Sequence, residues 1–406
     1  MPASRYFTAF CLYLNYMVHG IGVLIISLNM HSLEVQWSTD AAGVSVVISS
    51  LGLGRFALLY IAGTLSDRFG RKPFVLGGIA VYMAFFIGLL FTRDLTLAYV
   101  FGFLAGCANS LLDAGTYPKL MELFPNSPGP AVILIKAFVA SGQFILPLVV
   151  SILAALDLWY GWSFIAAASV LAVNFVILFR MAPSAAAKPL KAPAASAEAE
   201  SGKKSSESIA LPDLVSYTLF GYVAMATFYL VSQWLAQYGE KVAGMDFDSS
   251  LQLLSIYTTG SICGVFLSSL ALKTVLRPRE MLLICTAMSF LSLLFVTLWP
   301  TALFVTIFAF VFGFFAAGGV LQLGLTLLAA QFPAAKGKAT GIYYSAGSIS
   351  NFTIPLITAW IARNDSILTI FRFDMAIAAV GFVLACFIAW RSRRAEALLE
   401  AEARGA

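Results

Sequence analysis

Four side chains could carry charge chemistry where water is scarce: His19, Arg55, Asp113 and Lys136 each stand inside a run of about 20 mostly apolar residues. A charge there costs roughly 2.5 to 3.5 kcal/mol on insertion scales, so each needs a partner or a water-filled site. Asp113 and Lys136 lie 11 and 12 residues either side of Phe124, the start of the turn Phe124-Pro125. They therefore sit at nearly equal depth on consecutive antiparallel runs, which predicts an ion pair, either a structural strut or a pair that opens to bind substrate or a proton. Arg55 stands 8 residues before Gly63, about 12 Å inward by helix rise. An arginine keeps its proton there. Either Asp113 neutralises it and leaves Lys136 for a ligand, or an anionic ligand does. The formal sum over Arg55, Lys136 and Asp113 is +1, which favours a substrate with one negative charge. His19 titrates near neutrality and competes with Asp113 as the proton carrier; its plainer reading is a hydrogen-bonded packing residue.

Other polar groups suit the same task. Tyr16 precedes His19 by three residues, and Tyr229 and Gln233 are four apart and share a helix face. Gln143 and Asn351 each precede a proline, Pro147 or Pro355, by four residues, where the ring would free a backbone carbonyl. For any one of them the alternative is a hydrogen bond between helices.

The elements that must position these residues follow from composition. The chain of 406 residues is 60% hydrophobic and only 11% charged, which excludes a soluble globular protein. Apolar windows recur at about 6–28, 42–64, 73–92, 96–119, 130–154, 161–181, 213–236, 249–272, 280–299, 301–330, 339–361 and 367–390, giving twelve predicted membrane spans. With both termini on the cytoplasmic side, nineteen of the 25 Lys and Arg residues fall there and four opposite, so the positive-inside rule fixes the topology. The net charge of +5 then needs no nucleic-acid partner. The five cysteines lie in apolar runs without metal-ligand spacing and read as small hydrophobes. The first run, with only Arg5 before it, reads as a retained span rather than a removed signal peptide.

Between residues 182 and 211 the composition turns to Ala, Pro, Ser, Lys and Glu, a flexible cytoplasmic linker. It separates an N-terminal six-helix bundle, 1–181, from a C-terminal one, 212–391, followed by a cytoplasmic tail, 392–406. The halves also repeat. Val100-Phe101-Gly102-Phe103-Leu104-Ala105 reappears as Val311-Phe312-Gly313-Phe314-Phe315-Ala316. Phe124-Pro125 and Gln143-Phe144-Ile145-Leu146-Pro147-Leu148 reappear 208 residues later as Phe332-Pro333 and Asn351-Phe352-Thr353-Ile354-Pro355-Leu356. A constant register means tandem duplication of a six-helix unit.

Between the second and third runs lies Gly63-Thr64-Leu65-Ser66-Asp67-Arg68-Phe69-Gly70-Arg71-Lys72. Gly63, Asp67, Arg68, Gly70, Arg71 and Lys72 fill every defined position of G-x-x-x-D-R-x-G-R-K. With twelve spans, a 6+6 duplication and a charged central linker, the chain resembles the major facilitator superfamily of transporters, and within it little-characterised enteric inner-membrane carriers. The resemblance implies an all-α fold of two six-helix bundles rocking about a midplane cavity lined by spans 1, 4, 7 and 10. The hairpin reads as a gate, with Asp67 facing the positive end of span 11 near Lys336 to Ala339. Its counterpart between spans 8 and 9 has no Asp or Gly.

The expected function is proton-coupled symport of a small organic anion into the cell. The alternative is proton-driven export, although the span-5 region Ala140-Ser141-Gly142-Gln143 departs from the G-P-x-x-G-G pattern of family exporters. A non-transporting membrane receptor is a further alternative, disfavoured by the short linker and the lack of a soluble domain. No nucleophile and base, metal cluster or phosphate loop points to an enzyme. The expected setting is the bacterial inner membrane, with the lipid bilayer and an anionic small molecule as partners, a monomeric state, no cofactor, and the proton gradient as energy source.

Overall fold

The computed structural model describes residues 5–124, 128–181, 211–274, 276–317, 319–331 and 336–405. These residues are almost wholly helical, and no strand occurs among them. In a bilayer the helix satisfies every backbone donor and acceptor within one segment, so long apolar runs resolve as helices. They are α1 (Arg5–Leu28), α2 (Met30–Gln36), α3 (Ala41–Phe69), α4 (Arg71–Phe91), α5 (Leu95–Leu123), α6 (Pro128–Ala155), α7 (Trp162–Arg180), α8 (Leu211–Lys241), α9 (Phe247–Thr274), α10 (Pro278–Leu298), α11 (Ala302–Phe312), α12 (Val320–Gln331), α13 (Lys336–Asn364) and α14 (Ile367–Gly405).

Ten of these are long and apolar enough to cross a membrane. The other two expected spans correspond to α13 and to α11 with α12, joined through a π-helical turn at Gly313–Ala317. The fold is thus the expected all-α membrane protein of twelve helical spans, with α2 as a short extra helix. The repeat motif diverges locally: Val100 to Ala105 is ordinary α-helix in α5, whereas its copy carries the π-helical turn.

Ends and turns follow from local chemistry. Asp40 and Asp94 cap α3 and α5, accepting hydrogen bonds from Gly43 N and Leu97 N, both at 2.8 Å. Gly70 separates α3 from α4 at φ +90, a conformation that favours glycine. Gln36 on α2 closes the end of α4, donating through Nε2 to the carbonyls of Leu89 at 2.9 Å and Thr92 at 2.7 Å, while the Tyr160 hydroxyl donates to its Oε1. Such side chains satisfy the carbonyls that a helix end leaves open.

The chain forms two compact units. Unit 1 comprises Met1–Leu190, Ser232–Thr258 and Asn351–Ile367; unit 2 comprises Lys191–Val231, Thr259–Ser350 and Leu368–Ala406. The boundary falls within α8, α9 and α13, so each contributes a segment to both. Inside unit 1, α1 lies against α6 and α3 against α5 at backbone contact distance. A Cβ on Gly142 would stand 1.9 Å from Met17 O, and one on Gly106 2.1 Å from Leu51 O. The later segments join by hydrogen bonds to carbonyls: Ser45 Oγ to Pro355 O at 2.8 Å, Gln237 Nε2 to Ser27 O at 2.8 Å and Ser255 Oγ to Phe144 O at 3.1 Å.

Unit 2 has its own core, in which Tyr217 and Phe220 of α8, Leu282 of α10, Leu328 of α12, Tyr343 of α13 and Ile388 of α14 are buried together. Arg391 ties α14 to α8, its Nε donating to Asp213 Oδ1 at 2.7 Å. The helix α14 continues to Gly405, so residues 392–405 prolong it. The expected linker, 182–211, lies outside the described residues except for Leu211, which opens α8.

Candidate functional site

The charged cluster of unit 1 is built on α3 and α5. Close approach at Gly106 brings the helices near enough for Ser110 Oγ to donate to Arg55 O at 2.9 Å. Asp113, seven residues beyond Gly106, lies on the same face of α5. There Arg55 Nη2 donates to Asp113 Oδ2 at 3.0 Å, and from α1 the Tyr16 hydroxyl donates to Asp113 Oδ1 at 2.7 Å. Both carboxylate oxygens are engaged, and the pair is only partly accessible, with side chains 32% and 17% exposed. Arg55 Nε is buried without a partner, a donor left over for another acceptor.

The expected pair of Asp113 with Lys136 does not form. Equal depth is necessary for an ion pair but not sufficient, because the two side chains must also face each other. The α3–α5 contact presents Arg55 to Asp113 instead. Lys136 is exposed, and no carboxylate pairs with it among the described residues. The cluster thus holds one satisfied ion pair and one uncompensated cation. His19 completes it from α1, sharing a hydrogen bond between Nδ1 and the Tyr82 hydroxyl at 3.3 Å. Tyr16, whose hydroxyl donates to Asp113, meets its ring edge-on at 5.9 Å.

The remaining candidates divide. Gln143 is seven residues along α6 from Lys136, on the same face and partly accessible. Gln233 donates through Nε2 to Val23 O at 3.3 Å, while its Oε1 is buried and unpaired. Asn351 lies where α13 touches α3: a Cβ on Gly52 would stand 2.6 Å from Asn351 O, the carbonyl that Pro355 leaves without its helical donor. Its Oδ1 is also buried and unpaired. Tyr229 is buried, 6% exposed, in unit 2. Tyr229 and Gln233 both stand on the one helix α8, four residues apart and on a shared face.

The hairpin is tied into unit 1. Asp67 pairs with Arg71 at 2.5 Å, and Arg71 also meets Glu122 of α5 at 3.5 Å and donates to Ser66 Oγ at 3.1 Å. Ser66 Oγ in turn donates to Ala114 O at 2.7 Å. Lys72 Nζ donates to Phe179 O at 2.9 Å at the end of α7, where a cation suits the negative end of the helix dipole. Arg68 lies over the Phe69 ring, 5.6 Å from its centre. A Cβ on Gly63 would meet nothing within 4 Å, so no close approach requires glycine there in this structure. The expected partner of Asp67, the stretch Lys336 to Ala339, has side chains outside the described residues.

Sequence reasoning missed Glu122, which lies at a helix end where charge is unremarkable, and Asp374. The latter stands two residues after Arg372 in the apolar run that forms α14 and is fully buried, 0% exposed. The scan for charges within apolar windows that found Asp113 would also have found it.

Compared with known proteins, the sequence matches the family model described as Major Facilitator Superfamily over residues 6–298 and again over 253–405. It is 57% identical over 391 residues to the inner membrane transport protein YdiM of Escherichia coli (strain K12), covering 95% of each chain. It is 36% identical over 394 residues to the inner membrane transport protein YdiN of the same strain, covering 97% of this chain and 92% of that one. A crystal structure of D-xylose-proton symporter superposes with a TM-score of 0.74 over 95% of this chain and 97% of that one. At 15% identity that likeness concerns the fold alone.

Proposed function

The chain belongs to the major facilitator superfamily, and on that premise we propose that this transporter is a proton-coupled symporter importing a small organic anion by alternating access. The observation that carries the reading is the exposed Lys136 of α6, which pairs with no carboxylate among the described residues. The Arg55–Asp113 pair is internally neutral, so the cluster has one positive charge to offer, which an anion would compensate. Gln143, on the Lys136 face of α6, and Tyr16 would add hydrogen bonds.

The same geometry suggests how a proton would couple. Asp113 accepts from both Arg55 and Tyr16, so a proton placed on its carboxylate removes the charge that holds Arg55. The freed guanidinium would then bind the substrate anion with Lys136, and loss of the proton would restore the pair and expel the anion. His19, which packs on the Tyr16 ring that reaches Asp113, would pass the proton. The hairpin from Gly63 to Lys72 acts as the gate, the termini face the cytoplasm, the protein works as a monomer, and the proton gradient replaces any cofactor.

The test is flux into proteoliposomes, after a thermal-shift screen of organic acids, sugars and amino acids has supplied a ligand. Carboxylates among the hits and uptake that rises with an inwardly directed proton gradient are expected. Uptake indifferent to that gradient would sink proton symport, and efflux driven by it would reverse the direction.

A further inference from the structure

Asp374 is the buried ionisable group that the Arg55–Asp113 site does not use. Both its carboxylate oxygens are buried with no hydrogen-bond partner, although it lies well inside α14. Ala378 and Gly381, four and seven residues further on, share its face and line a small cavity in unit 2 whose walls do not include Asp374 itself. The other walls include Val223 and Thr227 of α8 and Thr286 and Ser289 of α10. The cavity measures about 20 Å³, room for roughly one water.

The hydroxyls around it have their protons committed. Thr227 donates to Val223 O at 2.9 Å, Thr286 to Leu282 O at 2.8 Å and Ser289 to Cys285 O at 2.7 Å. The wall therefore offers oxygen lone pairs and no donors. Asp374 itself finds neither a donor nor a counter-ion, so its ionised form would be a buried, uncompensated charge, whereas the carboxylic acid carries no charge to compensate.

No counter-charge is at hand. The stretch of α14 around Asp374 packs on α8 through Val223, on α10 through Thr297 and on α11 through Phe308. Among the described residues of unit 2 the ionisable groups of these elements are Tyr217, Tyr222, Tyr229 and Asp213 on α8, Cys285 on α10, and Arg277, Arg279 and Glu280 at the far end of α10. Asp213 is already paired with Arg391. Arg372, two residues from Asp374 on α14, is exposed and on another face.

We propose that Asp374 is a second proton-binding site, a carboxylic acid held neutral inside unit 2. The site itself does not depend on the symport reading; only its use for the driving proton rests on that reading.

Infrared spectroscopy of the purified full-length protein tests the site without any substrate, so its outcome is separate from that of the flux assay. A protonated buried carboxyl gives a C=O stretch distinct from ionised carboxylates. The expected result is a band that shifts in heavy water, is lost in Asp374→Asn and moves in Asp374→Glu. A band unchanged in Asp374→Asn overturns the assignment. If that variant fails to fold, a band unmoved in Asp374→Glu overturns it equally. A band that does not shift in heavy water overturns an exchangeable proton at this site. Melting temperature is measured in parallel against sodium chloride: a rise specific to sodium and absent in Asp374→Asn would assign the carboxylate to a metal cation instead.

Discussion

Arg55 on α3 donates to the Asp113 carboxylate on α5 at 3.0 Å, and this pairing leaves Lys136 as the uncompensated cation of the cluster. Replacing Asp113 by Asn keeps the shape and removes the counter-charge. The expected cost is about 2 kcal/mol, less than the roughly 3 to 5 for breaking a fully buried pair, because Arg55 is 32% exposed. A lower melting temperature in Asp113→Asn, with Asp113→Glu nearer the wild type, is the outcome to look for.

Lys136 separates binding from stability. Removing its charge relieves repulsion with Arg55, so Lys136→Gln should melt at a higher temperature than the wild type. It should also bind the anionic ligand at least about tenfold more weakly, a loss of about 1.4 kcal/mol. Parallel thermal-shift curves with and without the ligand measure both. Unchanged affinity would remove Lys136 from the site.

Gly106 governs how closely α3 and α5 approach. A Cβ there would stand 2.1 Å from Leu51 O and 2.6 Å from Arg55 N, both backbone atoms that do not yield. Gly106→Val should cost about 3 kcal/mol and push Arg55 away from Asp113. Size-exclusion profiles and transport by the surviving folded fraction would show both effects.

Gln36 satisfies the carbonyl end of α4 from a different helix. Its replacement by Ala leaves the Leu89 and Thr92 carbonyls and the Tyr160 hydroxyl without this partner. The expected penalty is about 1 to 3 kcal/mol, with transport affected only through the amount of folded protein. Melting temperature and specific flux, measured on the same preparation, distinguish this from a role in the site.

Asp246, just before α9, accepts from Ser249 N at 3.0 Å; this backbone hydrogen bond, first among the causes, holds its carboxyl below the usual carboxylate range. A lowered value in the folded state means that the unfolded chain binds the proton first as pH falls. The contribution is therefore present above the ordinary Asp value and is lost as pH drops through the folded one. In an acid titration followed by melting temperature, Asp246→Ala should show a shallower decline than the wild type.

The sequence by itself determined the class of this protein and most of its costly residues, though not Asp374. Apolar run lengths set the helices, since a bilayer leaves the backbone few other ways to satisfy itself. The hairpin from Gly63 to Lys72 and the repeat around Pro147 and Pro355 placed the chain in its superfamily before any coordinate was known. Depth along a helix is also legible, because rise per residue is fixed, and so Arg55, Asp113 and Lys136 were found together. Partner choice is different. It depends on which face each helix turns to its neighbour and on how closely the backbones approach, both set by contacts such as Gly106 on Leu51 between residues far apart in the chain. Only the tertiary structure could therefore give Asp113 to Arg55, leave Lys136 alone, tie Arg71 to Glu122, and bury Asp374 without a partner.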